Sequence, residues 1–217
     1  AILLLNRSIL SSVAKVSGGE GIRIKPVGMH TKAEWTIQMS AIYSSLTRSN
    51  LTTAYLSNGT GGEFYTRISS TAGIQVKNGR DGDDTWTQIP LQAGKWLHIT
   101  YVHKDKKTTV YVNGKVQKVF ENSAITFGEN SMIVVGNSGY RNDYLREIRL
   151  WDKALTESEI NDYLYLPMDP ATPHLISYLP LSKEMETKDL KAPAGTENVT
   201  TKARIEYVEN VKFPADE

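Results

Sequence analysis

Short stretches of alternating apolar and polar residues recur along this chain almost everywhere before residue 151, and Gly, Asn and Asp separate them. Period-two alternation marks a strand that buries one face and turns the other outward. The segments are Gly21–Val27, with Ile22 and Ile24 opposite Arg23 and Lys25, then Glu34–Tyr43, Gly62–Ser69, Gly73–Asn78, Lys95–His103, Thr108–Val112, Lys115–Phe120, Ser131–Gly136 and Tyr144–Trp151. Many short strands with turn residues at this spacing predict an all-β sandwich or barrel.

The stretch GKWLHITYVHKDKKTTVYVNGKVQ, Gly94–Gln117, shows the pattern at its clearest. It reads as strand, charged turn at His103–Lys107, strand, tight turn, strand. A two-residue Asn113-Gly114 loop supplies positive φ at both central positions, which suits a type I′ turn and an antiparallel hairpin. Val110 and Val112 then share one face, and Thr109 and Tyr111 the other. One helix is expected, over residues 156–164: Thr156-Glu157-Ser158-Glu159 is a capping box, Ile160, Tyr163 and Leu164 recur at helical spacing, and Pro167 and Pro170 stop it. After it, His174–Leu181 reads as a strand, Lys183–Lys202 as a polar loop and Ala203–Val208 as a last strand.

With 217 residues the chain is long enough for one large all-β domain or two small ones, and its 40% hydrophobic and 23% charged residues are ordinary for a globular protein. A formal net charge of +1 without a basic block gives no footprint for nucleic acid. The absence of cysteine excludes disulfides, thiolate metal sites and a cysteine nucleophile. The apolar run AILLL at Ala1–Leu5 is too short to cross a membrane as a helix and lacks the charged front of a signal peptide.

Two segments resemble a known family. GKWLHITYVHKDKKTTVYVNGK is similar to the "G-x-W-x-H-V-A … Y-x-x-G" segment of laminin-G-like, concanavalin A-like domains, and LREIRLWDKALTESEI is similar to their closing "I-D-E-V-R-I-W … A-L-S-x-x-E-I" signature. EWTIQMSAIY resembles an early "F-T-I-x-x-W-V" strand, and HLISYLPLSKEMETKDL resembles a "G-L-V-x-Y-W-x-F … D" segment of exported Bacteroidetes proteins. The chain departs from these patterns at Arg146, where the family has Asp, and at Leu179, where an aromatic is usual. The resemblance implies a two-sheet antiparallel jelly-roll sandwich with one short helix. It also implies that residues 1–217 form a single domain excised from a longer exported, periplasmic or cell-surface bacterial protein. The function it implies is non-catalytic carbohydrate binding or adhesion. The alternative is a structural domain that packs on a neighbour in the parent chain, and a less favoured one is a glycoside hydrolase with an atypical carboxylate pair.

The residues themselves offer little chemistry. Glucanases of this fold resemble an E-x-D-x-x-E strand, which aligns carboxylates on one face. Here Glu147, Arg149 and Trp151 share that face, so the second position is a cation and a structural Glu–Arg pair is expected. Gly136-Asn137-Ser138-Gly139-Tyr140 lacks the second glycine of a nucleophile elbow, and Gly114-Lys115-Val116 lacks the rest of a P-loop. His98 and His103 fall on opposite faces of one strand and cannot chelate one ion together. No cofactor is expected. Calcium is the exception to weigh, because Asp81, Asp83 and Asp84 cluster in one turn, with Asn137 and Asp143 as second candidates. For a glycan, the candidate binding residues are Trp86, as a stacking platform, and the loop Tyr140, Arg141, Asn142 and Asp143. Half-buried packing competes with that role at Trp86, and Trp35, Trp96 and Trp151 are expected in the core or on a sheet face.

Overall fold

The computed structural model describes residues 12–27, 33–47, 52–57, 62–77, 85–121, 130–136 and 139–211. Within them run β1 (Ser12–Ser17), β2 (Ile22–Ile24), β3 (Trp35–Ile42), β4 (Thr52–Ser57), β5 (Gly62–Ser69), β6 (Gly73–Lys77), β7 (Trp96–Lys104), β8 (Lys107–Val112), β9 (Lys115–Glu121), β10 (Met132–Val135) and β11 (Asp143–Trp151). A helix, α1 (Glu157–Asp162), follows, and β12 (Leu175–Leu179), β13 (Val199–Thr201) and β14 (Arg204–Glu209) end the series. All pairings are antiparallel. The larger sheet runs β14-β1-β11-β3-β7-β8-β9, and the smaller β13-β2-β10-β4-β5-β6. One edge of β11 serves two partners in tandem: Asp143–Leu145 pair with β1, and Ile148–Trp151 pair with β12.

The inward residues of both sheets form one core, as expected of a jelly-roll sandwich. Trp35, Ile37, Met39 and Ala41 of β3 meet Ile22 and Ile24 of β2, Phe64 and Ile68 of β5, and Ile74 of β6. Phe64 stands edge-on between two aromatics, 5.1 Å from Trp35 and 5.5 Å from Tyr101. Burying each large side chain contributes about 1.5–3 kcal/mol, so this layer carries most of the stability.

The Asn-Gly hairpin is present as the sequence predicts: Asn113 has φ 52° and Gly114 φ 78°, the signature of a type I′ turn. The capping box is complete as well, with Thr156 Oγ1 accepting from Glu159 N and Glu159 Oε1 accepting from Thr156 N. The helix ends at Asp162, earlier than the sequence suggests, because Tyr163 leaves helical geometry with ψ 11°. Three strands were not expected. β1 and β4 lack clear alternation, and β13 is a three-residue strand inside a segment that reads as loop.

Candidate functional site

The outward side of the larger sheet is not a solvent face. Thr36, Gln38, Ser40, His98, Thr100, Glu147 and Arg149 point away from the core, yet all are buried. A second apolar cluster covers them: Leu155 and Ile160 at and in α1, then Met168, join Val102, Tyr111, Trp151, Leu175 and Tyr178. Most polar groups beneath this cover are paired within the protein, while the Ser40 hydroxyl has no partner among the described residues. Trp151 Nε1 donates to Gln38 Oε1 at 2.8 Å, and Gln38 Nε2 donates to Thr100 Oγ1 at 3.2 Å. Thr36 Oγ1 donates to Lys153 O and accepts from Leu155 N, which ties the approach to α1 down onto β3.

Arg149 holds the far end of the cover. A helix this short leaves its last carbonyls without partners. The Arg149 guanidinium donates to Tyr163 O through both terminal nitrogens at 3.1 Å and to Leu166 O at 2.5 Å. It also forms a buried ion pair with Glu147, the structural Glu–Arg pair expected from the sequence. Tyr178 completes the group, donating its hydroxyl to Glu147 Oε2 at 3.2 Å and accepting from Met168 N. Burial first and the Glu147 charge second push the Tyr178 phenol far above its ordinary range. Burial, with Arg149 nearby, holds His98 down to about 3, so its ring is neutral. Glu147 is therefore committed to Arg149 and Tyr178, and this face serves to dock the helix.

The helix also reads the hairpin. Asn161 Nδ2 donates to Gly114 O at 2.9 Å, and Tyr165 Oη donates to Asn113 Oδ1 at 2.6 Å. A Cβ at position 114 would lie 2.2 Å from Asn161 Oδ1, so the turn needs glycine for space as well as for φ.

The smaller sheet presents a different outer face. Its strands send Ile22, Ile24, Phe64, Ile68, Ile74 and Val76 inward, and Arg23, Tyr65 and Arg67 outward. Thr200 of β13, Arg23 of β2 and Val134 of β10 stand in one cross-strand row. Arg67 lies 5.1 Å over the Tyr65 ring, a cation–π contact that holds both half-buried. No described helix packs on this face. At its β13 end opens a groove of about 620 Å³, lined by Arg23, Lys25, Met132, Glu197, Asn198 and Lys202 among others.

The sequence-predicted binding residues do not converge. Trp86 is half-buried; it forms a β-bridge with Gln75 beside β6, and its carbonyl accepts from Lys118 Nζ on β9. Tyr140 corrects its expectation: its side chain is 0% exposed, edge-on to Tyr43 with the hydroxyls 3.2 Å apart, and presents no face to a sugar. Gly136 makes room for it, since a Cβ there would meet the Tyr140 ring at 3.0 Å. Asp143 is corrected likewise. It is buried, and its carboxylate accepts from Ser44 N at 2.7 Å and Arg141 N at 2.8 Å, fastening the β10–β11 turn to the chain after β3. Arg141 and Asn142 are exposed, and Asn142 exchanges hydrogen bonds with Ser17 of β1.

His103 lies on the core side of β7, stacked 5.1 Å from Trp35, while His98 lies on the covered side, so the opposite-face reading holds. The acidic turn at Asp81, Asp83 and Asp84, and Asn137, lie outside the described residues. Among the described residues no three His, Asp or Glu side chains gather as a metal site. The groove was missed by sequence reasoning. The alternation of Ile22 and Ile24 with Arg23 and Lys25 points to one wall, but the segment Lys183–Lys202 that supplies the other reads as loop. The run Val199-Thr200-Thr201, rich in β-branched residues, was the available signal.

Residues 17–161 match the family described as the concanavalin A-like lectin/glucanases superfamily. Among curated proteins, none matches this sequence. Solved structures share the fold. A candidate carbohydrate-binding protein from Bacteroides ovatus superposes with a TM-score of 0.67 at 18% identity, over 95% of this chain and 62% of that one. The chain thus spans less than two thirds of that relative's length. A heptameric SAP-like pentraxin from Limulus polyphemus gives a TM-score of 0.61 at 12% identity, covering 93% of this chain and 96% of that one. Domain 4 of AbnA, an extracellular arabinanase of Geobacillus stearothermophilus solved with arabinotriose, gives 0.53 at 17% identity, over 70% and 76%. At these identities the likeness establishes the fold alone.

Proposed function

The chain belongs to the concanavalin A-like lectin/glucanases superfamily, and from that membership we propose that it is a non-catalytic carbohydrate-binding module of an exported bacterial protein. The observation that carries this reading is the outer face of the smaller sheet. It combines a half-buried aromatic, Tyr65, with the cations Arg23 and Arg67 and ends in a groove of about 620 Å³. Sugar sites pair a flat apolar surface with a few fixed polar groups, and small-ligand pockets fall in about this size range. The fold relatives include a candidate carbohydrate-binding protein and a domain solved with arabinotriose, which favours the same class.

The non-catalytic part of the proposal rests on the carboxylates. A glycosidase needs two, placed across the scissile bond. Glu147 is tied to Arg149 and Tyr178 beneath the helix, and the groove is lined by one carboxylate, Glu197. A second reading, a domain that docks on a neighbour in its parent protein, is favoured by the edge strand β9, where Val116 and Val119 are 46% and 48% exposed. A glycan-array screen of the purified protein, with and without Ca²⁺, decides between them. Reproducible binding that Tyr65→Ala abolishes supports the module. A blank array shifts the weight to the docking domain.

A further inference from the structure

We propose that the groove at the β13 end of the smaller sheet binds the carboxylate or sulfate group of an anionic saccharide, an inference that rests on the carbohydrate-binding reading and narrows it. Three cations line the groove, Arg23, Lys25 and Lys202, against one carboxylate, Glu197. Just outside, Glu20 is shared, accepting from Arg23 Nη2 at 3.1 Å and pairing with Lys202 Nζ at 3.2 Å. One carboxylate thus serves two cations, and Lys25 has no ion-pair partner among the described residues. Even with Glu20 counted, the cluster keeps an excess positive charge, in a protein whose net charge is only +1.

The Arg23 guanidinium is also under-used. Its one hydrogen bond among the described residues runs from Nη2 to Glu20, which leaves its other terminal nitrogen, Nη1, unbonded among them. A planar fork with spare donors matches a ligand that brings two or three oxygens on one anionic centre. A neutral sugar hydroxyl meets that demand less well. Met132, partly exposed, adds an apolar surface for the ring of such a sugar.

Hydrogen bonds fasten the backbone that carries Lys25 and Lys202. Lys25 N donates to Asn198 O at 2.8 Å, and Asn198 Nδ2 donates to Lys25 O and to Asp189 Oδ2. Lys202 N donates to Gly21 O, and Glu20 N donates to Lys202 O. Glu197, Asn198 and Lys202 lie beyond the stretch 17–161 that matches the family, so this wall comes from the chain's C-terminal segment.

The test is isothermal titration of the whole chain with three probes: an oligogalacturonide, which carries carboxylates; a κ-carrageenan oligosaccharide, which carries sulfates; and a neutral galacto-oligosaccharide. At least one anionic probe is expected to bind, with the neutral probe about tenfold weaker or silent. Which anionic probe binds tells carboxylate from sulfate. Arg23→Gln and Lys202→Gln are each expected to weaken binding about tenfold, and Glu197→Gln to strengthen it. Lys202 is exposed, so Lys202→Gln still decides the matter should Arg23→Gln destabilise β2. Equal binding of the neutral probe, unmoved by Arg23→Gln and Lys202→Gln, overturns the anionic groove and leaves the carbohydrate-binding module standing. Silence of all three probes together with a blank array overturns both.

Discussion

On the larger sheet the outward residues Gln38, Thr100, Glu147 and Arg149 are all buried, whereas on the smaller sheet Arg23, Tyr65 and Arg67 keep part of their surface in water. Both faces arise from the same alternation of apolar and polar residues. The larger sheet received a helix, and most polar groups beneath it found a partner within the protein, since an unpaired buried one costs about 1–3 kcal/mol; the Ser40 hydroxyl is an exception. No described helix packs on the smaller sheet, and its arginines keep donors unspent among the described residues. The same residue type, arginine, is thus a strut on one face and a free hand on the other.

The sharpest way to test that contrast is to remove each arginine. Arg149→Met leaves the Glu147 carboxylate buried without its cation and takes the guanidinium's bonds from the carbonyls of Tyr163 and Leu166, of which Tyr163 O keeps the Leu166 amide. A loss of about 3–5 kcal/mol in urea denaturation is expected, against under about 1 kcal/mol for Arg23→Gln. Equal losses would erase the distinction between the faces. Acid is the next lever. His98 is held down to about 3 and His103 to about 4, both by burial, from an ordinary 6.5. From pH 6.5 down to about 4 the unfolded chain binds protons that the folded chain refuses, so stability is whole above that window and falls as pH falls through it. The slope approaches roughly 1.4 kcal/mol per pH unit for each histidine. His98→Gln should remove one histidine's share, and Arg23→Gln should leave the slope unchanged.

Gly114→Ala tests how the hairpin and helix fit together. It imposes a left-handed φ on alanine and drives a Cβ into Asn161, so a loss of about 1–3 kcal/mol is expected, read from thermal or urea unfolding. Adding Asn161→Ala should return part of that loss, leaving the backbone share. The smallest effect belongs to the open face. Arg67→Gln removes one cation–π contact and should cost about 0.5–1 kcal/mol in the same measurement.

Much of the covered face's scaffold was legible in the sequence. The turn at Asn113-Gly114, the capping box from Thr156 to Glu159 and the shared face of Glu147, Arg149 and Trp151 each follow from spacing and local chemistry, and the structure has them. That this face is covered was not legible. Thr36, Gln38 and Ser40 alternate with apolar residues as a solvent face would, and only the later return of residues 153–168 buries them. The candidate site was harder still. Tyr140 and Asp143 sit in a turn, where exposure is the ordinary outcome, but a tyrosine directed inward past a glycine and an aspartate satisfying two backbone amides leave no mark in a linear pattern. The groove needed a pairing between Arg23 and Thr200, residues from opposite ends of the chain.

The last stretch of chain returns to both layers: β14 pairs with β1 in the larger sheet and β13 with β2 in the smaller, while Lys183 N donates to Ser12 Oγ beside them. A gene shortened to the family boundary at residue 161 would therefore strip strands from the rims of both sheets at once. The product would carry bare hydrogen-bonding edges in two places, the condition under which β proteins stick to their own copies and drop out of solution. Anyone subcloning this domain by homology would be making an aggregation assay.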